Sequence, residues 1–103
     1  MAEFVTVGTT DEVTEGEAKA FSVNGEEVAV ARVDGELVAF SDICTHRACN
    51  LANGGDIEGT SIACECHGSV FDMKTGAVIE GPATEPIATF AVRAEGSDLQ
   101  IGV

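Results

Sequence analysis

Short apolar runs alternate with turn signals along the whole chain. The runs are rich in Val, Ala, Ile and Phe, and they are separated by pairs such as Asn24-Gly25, Asp34-Gly35 and Gly81-Pro82. β-branched and aromatic residues favour strands, and short strands between Gly, Asn, Asp and Pro are typical of sandwiches and small barrels. We therefore predict an all-β fold with strands near residues 4–7, 18–23, 27–33, 36–41, 61–64, 70–72, 77–79, 90–94 and 99–101.

Two segments refine this prediction. Asp34-Gly35 lies between two apolar runs and predicts a tight hairpin, because the preferred two-residue turn needs positive φ angles. Residues 11–19 are charged, and we expect a loop or one short turn there. No repeat or interdomain linker is evident, so residues 1–103 are expected to form one domain whose core is mainly Val, Ala, Ile and Leu.

The charge of the chain excludes two classes of partner. Five basic and eighteen acidic residues give a net charge of −13, which repels nucleic acid and anionic membrane surfaces. The acidic surface serves either solvation or the attraction of a basic protein partner. Residues 1–7 lack a signal-peptide pattern, and no stretch approaches the roughly 18 apolar residues of a membrane span. We expect a soluble cytoplasmic protein, although the same residues are compatible with a domain cut from a longer precursor.

The candidate chemistry lies in two short segments, Cys44-Thr45-His46 and Cys64-Glu65-Cys66-His67, which hold both histidines of the chain. Both segments adjoin predicted strands, and such rigid supports suit a metal site. Two thiolates and two imidazoles can hold zinc, or a 2Fe-2S cluster in which two His replace two Cys on one iron.

Zinc, an all-cysteine cluster and unrelated surface histidines are the three alternatives to the mixed-ligand cluster. Zinc motifs usually separate paired ligands by two or more residues, and Cys44-x-His46 is tighter. An all-cysteine cluster would use the four-residue gap from Cys44 to Cys49, but the required C-x2-C pair is missing. Unrelated surface histidines are disfavoured because each His lies in a matched loop with a Cys.

The full pattern is C-x-H, then the seventeen residues 47–63, then C-x-x-H. This pattern resembles the Rieske family of iron-sulfur proteins, and the segments 44–49, 64–69, Phe71-Asp72, Thr75-Gly76 and Gly81-Pro82-Ala83 resemble it too. The resemblance implies stacked antiparallel sheets. It places the cluster-binding loops, about residues 44–51 and 64–71, at one tip and a covering loop at about residues 80–84.

The same resemblance implies roles for individual residues. Cys44 and Cys64 would bind one iron of a single 2Fe-2S cluster, and His46 and His67 would bind the other. Cys49 and Cys66 fall where cytochrome bc-type members have a disulfide, so the resemblance implies a Cys49–Cys66 bridge, the alternative being two buried thiols. Ser69 matches a serine that donates to a bridging sulfide, and Phe71 stands where high-potential members place a tyrosine. The residues expected to shield the cluster are Leu51, Gly81 and Pro82.

The resemblance further implies a monomeric ferredoxin, an electron carrier and not an enzyme. Its partners would be a flavin-dependent ferredoxin reductase and the terminal component of a ring-hydroxylating oxygenase, with Arg47 a candidate partner contact. Both histidines are committed as ligands, so no catalytic residues remain for oxygen activation. The alternative is a redox subunit of a respiratory cytochrome bc-type complex, which the Cys49–Cys66 pair supports and Phe71 opposes. A nitrite reductase subunit of similar fold is disfavoured because it usually lacks the ligands.

Overall fold

The computed structural model describes residues 3–44, 49–52, 54–65, 68–81 and 83–102. Within these residues the chain forms ten strands and one short 3-10 helix, Thr10–Glu12. The strands are β1 (Phe4–Thr9), β2 (Ala18–Val23), β3 (Glu26–Val33), β4 (Glu36–Ser41), β5 (Asp56–Glu58), β6 (Ser61–Ala63), β7 (Val70–Asp72), β8 (Val78–Glu80), β9 (Thr89–Glu95) and β10 (Asp98–Gly102).

The larger sheet has six strands in the order β1-β10-β9-β4-β3-β2. Neighbouring strands are antiparallel. The two edge strands β1 and β2 also contact each other, so the sheet curls towards a barrel. Its interior is filled by aliphatic side chains from both ends of the chain: Val13, Val23, Val28, Val30, Ala39, Leu99 and Ile101.

The smaller sheet has four antiparallel strands in the order β5-β6-β7-β8. Its inner face packs on the side of β3 and β4 that faces away from the barrel interior. Strand β3 is therefore buried on both faces, which explains its near-continuous apolar run. The layer between the sheets contains Ala29, Ala31, Val33, Val38, Phe40, Ile62, Phe71 and Met73, with Ile57 and Val78 packed against them.

Two hairpin turns follow from the local sequence. Asp34 and Gly35 have φ angles of 53° and 78°, and Asn24 and Gly25 have 50° and 84°. Positive φ at both central residues is what the type I′ turn requires. The Glu15 carboxylate accepts hydrogen bonds from the Asp34 and Gly35 amides, each at 2.8 Å. The hairpin predicted at Asp34-Gly35 is confirmed.

The all-β antiparallel fold predicted from the sequence is confirmed, with one strand missed and several strand ends shifted by one or two residues. Strand β5 was not predicted, because Asp56-Ile57-Glu58 has a single apolar residue, and it is defined by its pairing with β6. Strand β8 lies one residue later than predicted. The 3-10 helix begins just before the charged segment for which one short turn was expected. Across the described residues, no helix is long and apolar enough to cross a membrane.

Candidate metal centre

The structure describes about half of the predicted site. Cys44, Cys49, Leu51, Cys64, Ser69, Phe71 and Gly81 are among the described residues. His46, Cys66, His67 and Pro82 lie outside the described residues, as does Arg47, so the roles expected for them stay predictions. The two described ligand candidates, Cys44 and Cys64, are each only 3% exposed and belong to one hydrophobic cluster.

The first cluster loop, which we define as residues 42–55, leaves the end of β4 and closes on itself. The Leu51 amide donates to the Asp42 carbonyl at 2.6 Å, and the Cys44 amide donates to the Cys49 carbonyl at 2.9 Å. Between these two bonds Ile43 and Asn50 form an antiparallel bridge. The base of the loop is thus a short irregular ladder, and its inner end fixes the backbone of Cys44.

The second cluster loop, residues 64–69, joins β6 to β7. The Cys64 amide donates to the Ser69 carbonyl at 2.7 Å, and the Gly68 amide donates to the Cys64 carbonyl at 2.9 Å. Gly68 has a φ of 76°, a conformation that glycine adopts without strain. In both loops the cysteine amide therefore bonds the carbonyl five residues further along the chain.

The two loops also contact each other. A Cβ atom added at Gly54 would overlap the Glu65 carboxylate, so the Glu65 side chain of the second loop lies against Gly54 of the first. Gly54 itself has a φ of 86°. This contact brings the strand ends that carry Cys44 and Cys64 to the same end of the molecule, as the predicted pair of loops requires.

Ser69 gives a direct test of whether the site fits an iron-sulfur cluster. Its side chain is fully buried, and its Oγ accepts a hydrogen bond from the Ala83 amide at 3.1 Å. Among the described residues no acceptor is found for the Ser69 hydroxyl hydrogen, although a buried hydroxyl ordinarily finds one. A sulfide would supply that acceptor. Two buried thiols with a buried hydroxyl donor beside them therefore fit a 2Fe-2S cluster, whose sulfide and thiolate sulfurs accept hydrogen bonds.

The Ser69–Ala83 bond also places the predicted covering loop. Ala83 is only 4% exposed and joins the cluster that contains Cys44 and Cys64, whereas Gly81 is exposed. Leu51 and Phe71 are fully buried in the same cluster. Phe71 packs in the layer between the sheets, and shielding of a cluster by Leu51 and Gly81 stays a prediction.

Cys49 is disulfide-bonded in the structure. The partner predicted from the sequence, Cys66, lies outside the described residues, so the Cys49–Cys66 pairing remains a proposal. Cys49 also packs against the cluster of buried residues that contains Cys44. The bond thus starts at the inner end of the ladder that closes the first loop.

Sequence reasoning missed the residue that organises the base of the first loop. Asp42 is fully buried, and its carboxylate accepts hydrogen bonds from Asn50 Nδ2 and the Ala52 amide, each at 2.7 Å. The available signal was an acidic residue directly between the apolar strand β4 and Cys44. In a chain with eighteen acidic residues, such a position is easily interpreted as one more surface charge.

Most acidic side chains in the described part of the chain lie on exposed surface. The ion pairs found among the described residues are Lys19–Glu12 and Lys74–Glu36. The Lys19 hydrogen bond, followed by that of the Thr9 amide, lowers the pKa of Glu12 below its usual 4.5. Acidic residues of the smaller sheet, such as Asp56, Glu58 and Glu80, are exposed. A basic partner surface would complement this face.

Comparison with known proteins agrees with this geometry. A profile of the Rieske 2Fe-2S domain matches residues 3–91. The biphenyl dioxygenase ferredoxin subunit of Pseudomonas sp. (strain KKS102) is 37% identical over 98 residues, which cover 95% of this chain and 90% of that protein.

Solved structures show the same similarity. The ferredoxin of carbazole 1,9a-dioxygenase from Nocardioides aromaticivorans IC177 superimposes with a TM-score of 0.89 at 31% identity, covering 95% of both chains. A structure described as the complex of reduced oxygenase and oxidized ferredoxin in carbazole 1,9a-dioxygenase contains a chain with a TM-score of 0.88 at 27% identity. That match covers 96% of this chain and 92% of the other.

Proposed function

Since the chain belongs to the Rieske 2Fe-2S domain family, we propose that it carries single electrons from a flavin-dependent ferredoxin reductase to the terminal component of a ring-hydroxylating oxygenase. The observation that carries this proposal is the pair of buried cysteines, held by equivalent amide hydrogen bonds in two contacting loops, with the buried Ser69 hydroxyl beside them. Relatives named as ferredoxin subunits of dioxygenases support the direction of transfer. The solved complex of an oxygenase with its ferredoxin supports direct contact with the oxygenase.

The proposed ligands are Cys44 and Cys64 on one iron and His46 and His67 on the other. When bound, a 2Fe-2S cluster with this ligation supplies a reversible one-electron couple, which in such centres lies at about −150 to +300 mV. Cys44 and Cys64 would bind as thiolates, and their burial excludes water from the sulfur atoms. The Ser69 hydroxyl would donate its hydrogen to sulfur, which would stabilise the reduced form.

The chain acts as an electron-transfer component and not as the catalyst of the oxygenation. Its two histidines are both assigned as ligands, so no His remains for the separate iron site that oxygen activation needs. We propose that electrons enter and leave at the end of the molecule where the two loops meet, with Arg47 as a partner contact. A monomer in the cytoplasm is the proposed form of the carrier.

The disulfide is the observation that supports a second candidate function, that of a respiratory subunit. Cys49 is disulfide-bonded, and the proposed Cys49–Cys66 bridge is the feature that suggested a respiratory cytochrome bc-type subunit. The bridge would close residues 49–66 and stabilise the folded state by about 3 kcal/mol on the chain-entropy model. The similarity to dioxygenase ferredoxins over 95% of the chain favours the oxygenase pathway. A strongly positive reduction potential would favour the respiratory function, and a negative one the oxygenase function.

Electron transfer itself provides the test. The chain is reduced under anaerobic conditions by NADH and the flavin reductase of a biphenyl dioxygenase system, then mixed with the oxidised terminal oxygenase of that system. We expect the visible absorption of the chain to bleach with the reductase and to recover with the oxygenase. A chain that remains oxidised with the reductase, or remains reduced with the oxygenase, would contradict the proposed pathway. A variant with Arg47→Ala tests the expected contact, with Arg93→Ala as the control on β9.

A further inference from the structure

Asp42 uses every polar group it has to hold the base of the first loop. Its amide donates to the Glu27 carbonyl at 3.0 Å, and its carbonyl accepts from the Leu51 amide at 2.6 Å. Its two carboxylate oxygens accept separately, Oδ2 from Asn50 Nδ2 and Oδ1 from the Ala52 amide, each at 2.7 Å. Asp42 thus ties the start of β3 and both sides of the loop base together.

This carboxylate is fully buried, and neither ion pair found in the described part of the chain involves it. A cavity of about 300 Å³ beside it is lined by Asp42, Asn50 and Lys19, but the Lys19 Nζ is bonded to Glu12 at 2.9 Å. Burying a carboxylate without a cation costs free energy, and apolar packing is often the more stable solution. A buried polar group kept in this position suggests that it specifies a conformation.

The conformation it specifies includes the backbone of Cys44. Asp42 and Leu51 form the outer rung of the loop base, Ile43 and Asn50 the bridge above it, and Cys44 and Cys49 the inner rung. The Asp42–Asn50 hydrogen bond spans the outer two rungs diagonally. Without the Asp42–Asn50 bond, the loop base would lose a side-chain contact that holds its two strands in the alignment that pairs the Cys44 amide with the Cys49 carbonyl.

We propose that Asp42 is a positioning residue for the metal centre: through Asn50 and Ala52 it holds Cys44 in the geometry that metal binding needs. The inference rests on the proposed function, in which Cys44 is a ligand. Asp42 itself touches no metal in this scheme and acts only through the loop base. Its effect should therefore be recovered by any pair of side chains that restores the same hydrogen bonds.

Three variants separate this role from general stability. In Asn50→Asp, the new carboxylate faces the Asp42 carboxylate, and two ionised carboxylates offer acceptors but no donor. In the double variant Asp42→Asn with Asn50→Asp, the NH2 group of residue 42 donates to the new carboxylate and its oxygen still accepts from Ala52. The control is Asn24→Asp, since it makes the same change in a turn that carries no proposed ligand and at a positive φ that Asp34 also adopts.

The readouts are the rate of iron loss to a chelator and the electron paramagnetic resonance (EPR) spectrum of the dithionite-reduced protein. We expect Asn50→Asp to lose iron about tenfold faster than the wild type, the factor set by one unmade hydrogen bond at a buried charged group, and to show a broadened spectrum. The double variant should return both readouts close to wild type, and Asn24→Asp should leave both unchanged.

Two results would overturn the proposal: an Asn50→Asp protein that matches Asn24→Asp in both readouts, or a double variant no better than Asn50→Asp. If Asn50→Asp does not fold, Asn50→Ala removes the same bond without adding a charge and should show a smaller change in the same direction, and no change would also overturn it. Failure of the proposed function looks different. In that case the wild type itself would show no iron-sulfur spectrum.

Discussion

The two cluster loops place their cysteines in the same way but are built differently. The second loop continues a regular ladder, in which Ile62 pairs with Phe71 and Ala63 with Val70 before the Cys64 amide bonds the Ser69 carbonyl. The first loop has one isolated bridge, between Ile43 and Asn50, and its base is held by a buried carboxylate. One loop is thus supported by backbone pairing over a packed core, and the other by polar side-chain contacts.

This difference predicts where each loop is sensitive. The second loop depends on the apolar layer beneath β6 and β7, since Ile62 and Phe71 are fully buried there. The first loop depends on close backbone approach and on Asp42. Truncating a buried apolar side chain should therefore destabilise the second loop more than the first. Adding a side-chain atom at a crowded glycine, or changing a hydrogen-bonding group at the loop base, should destabilise the first loop more.

The largest effect is expected from the cysteines, where the two loops should behave alike. Cys44→Ser and Cys64→Ser each replace a buried cysteine that we propose as a thiolate ligand, so each should abolish binding of the iron-sulfur cluster. Iron and acid-labile sulfide per purified chain measure the outcome. A variant that keeps the full iron and sulfide content would show that the substituted cysteine is not a ligand.

The next effect concerns the core under the second loop. Phe71→Ala removes a fully buried ring and should lower the free energy of unfolding by about 3 to 5 kcal/mol. Denaturant titration followed by circular dichroism measures it. Phe21→Ala, at a partly buried position in the larger sheet, is the matched control and should cost clearly less. Equal losses for the two variants would argue against a special dependence of this region on Phe71.

Substitutions at Gly55 in the first loop and Gly68 in the second test how crowded the backbone of each loop is. A Cβ at Gly55 would overlap the Leu51 carbonyl oxygen and lie 3.0 Å from the Ile62 side chain, whereas a Cβ at Gly68 meets nothing within 4 Å. Gly55→Ala should therefore destabilise by about 2 to 3 kcal/mol through steric overlap. Gly68→Ala should cost about 1 kcal/mol through its positive φ alone. Thermal unfolding of the two oxidised proteins gives the order, and a larger loss for Gly68→Ala would refute this account of the first loop.

A smaller effect is expected on the reduction potential. Phe71→Tyr would introduce a hydroxyl where the Rieske resemblance places a donor to a cysteine sulfur. One added hydrogen bond of about 1 kcal/mol corresponds to a rise of about 40 mV for a one-electron couple. Protein-film voltammetry measures the shift, with Phe40→Tyr in the same apolar layer as the control. An unchanged potential would show that the hydroxyl does not reach the sulfur.

The smallest effect lies outside both loops. The pKa of Glu12 is lowered in the folded state, chiefly by the Lys19 hydrogen bond. The ionised Glu12 carboxylate therefore stabilises the fold above its unfolded pKa of about 4.5, and this stabilisation is lost as the pH falls through the lower pKa of the folded state. Glu12→Gln should therefore unfold at a slightly lower temperature than wild type at pH 7 and at the same temperature in strong acid. A difference that persists in acid would exclude the carboxylate as its source.

The same contrast explains how much of the molecule could be predicted. The strands of the larger sheet follow from apolar alternation and from turns such as Asp34-Gly35, because these signals are local. The spacing of the cysteines and histidines predicted the two loops, and of the predicted ligands Cys44 and Cys64 lie in one buried cluster, whereas both histidines lie outside the described residues. Strand β5 and the role of Asp42 could not be predicted, since β5 exists through pairing with β6 and the burial of Asp42 depends on Glu27, Asn50 and Ala52, residues distant in sequence.

Pulsed EPR of the dithionite-reduced protein tests the central claim most directly. The account predicts a 2Fe-2S signal with hyperfine coupling to two imidazole nitrogens, one of which disappears in His46→Cys and the other in His67→Cys. A colourless, EPR-silent protein containing one zinc ion per chain would contradict it.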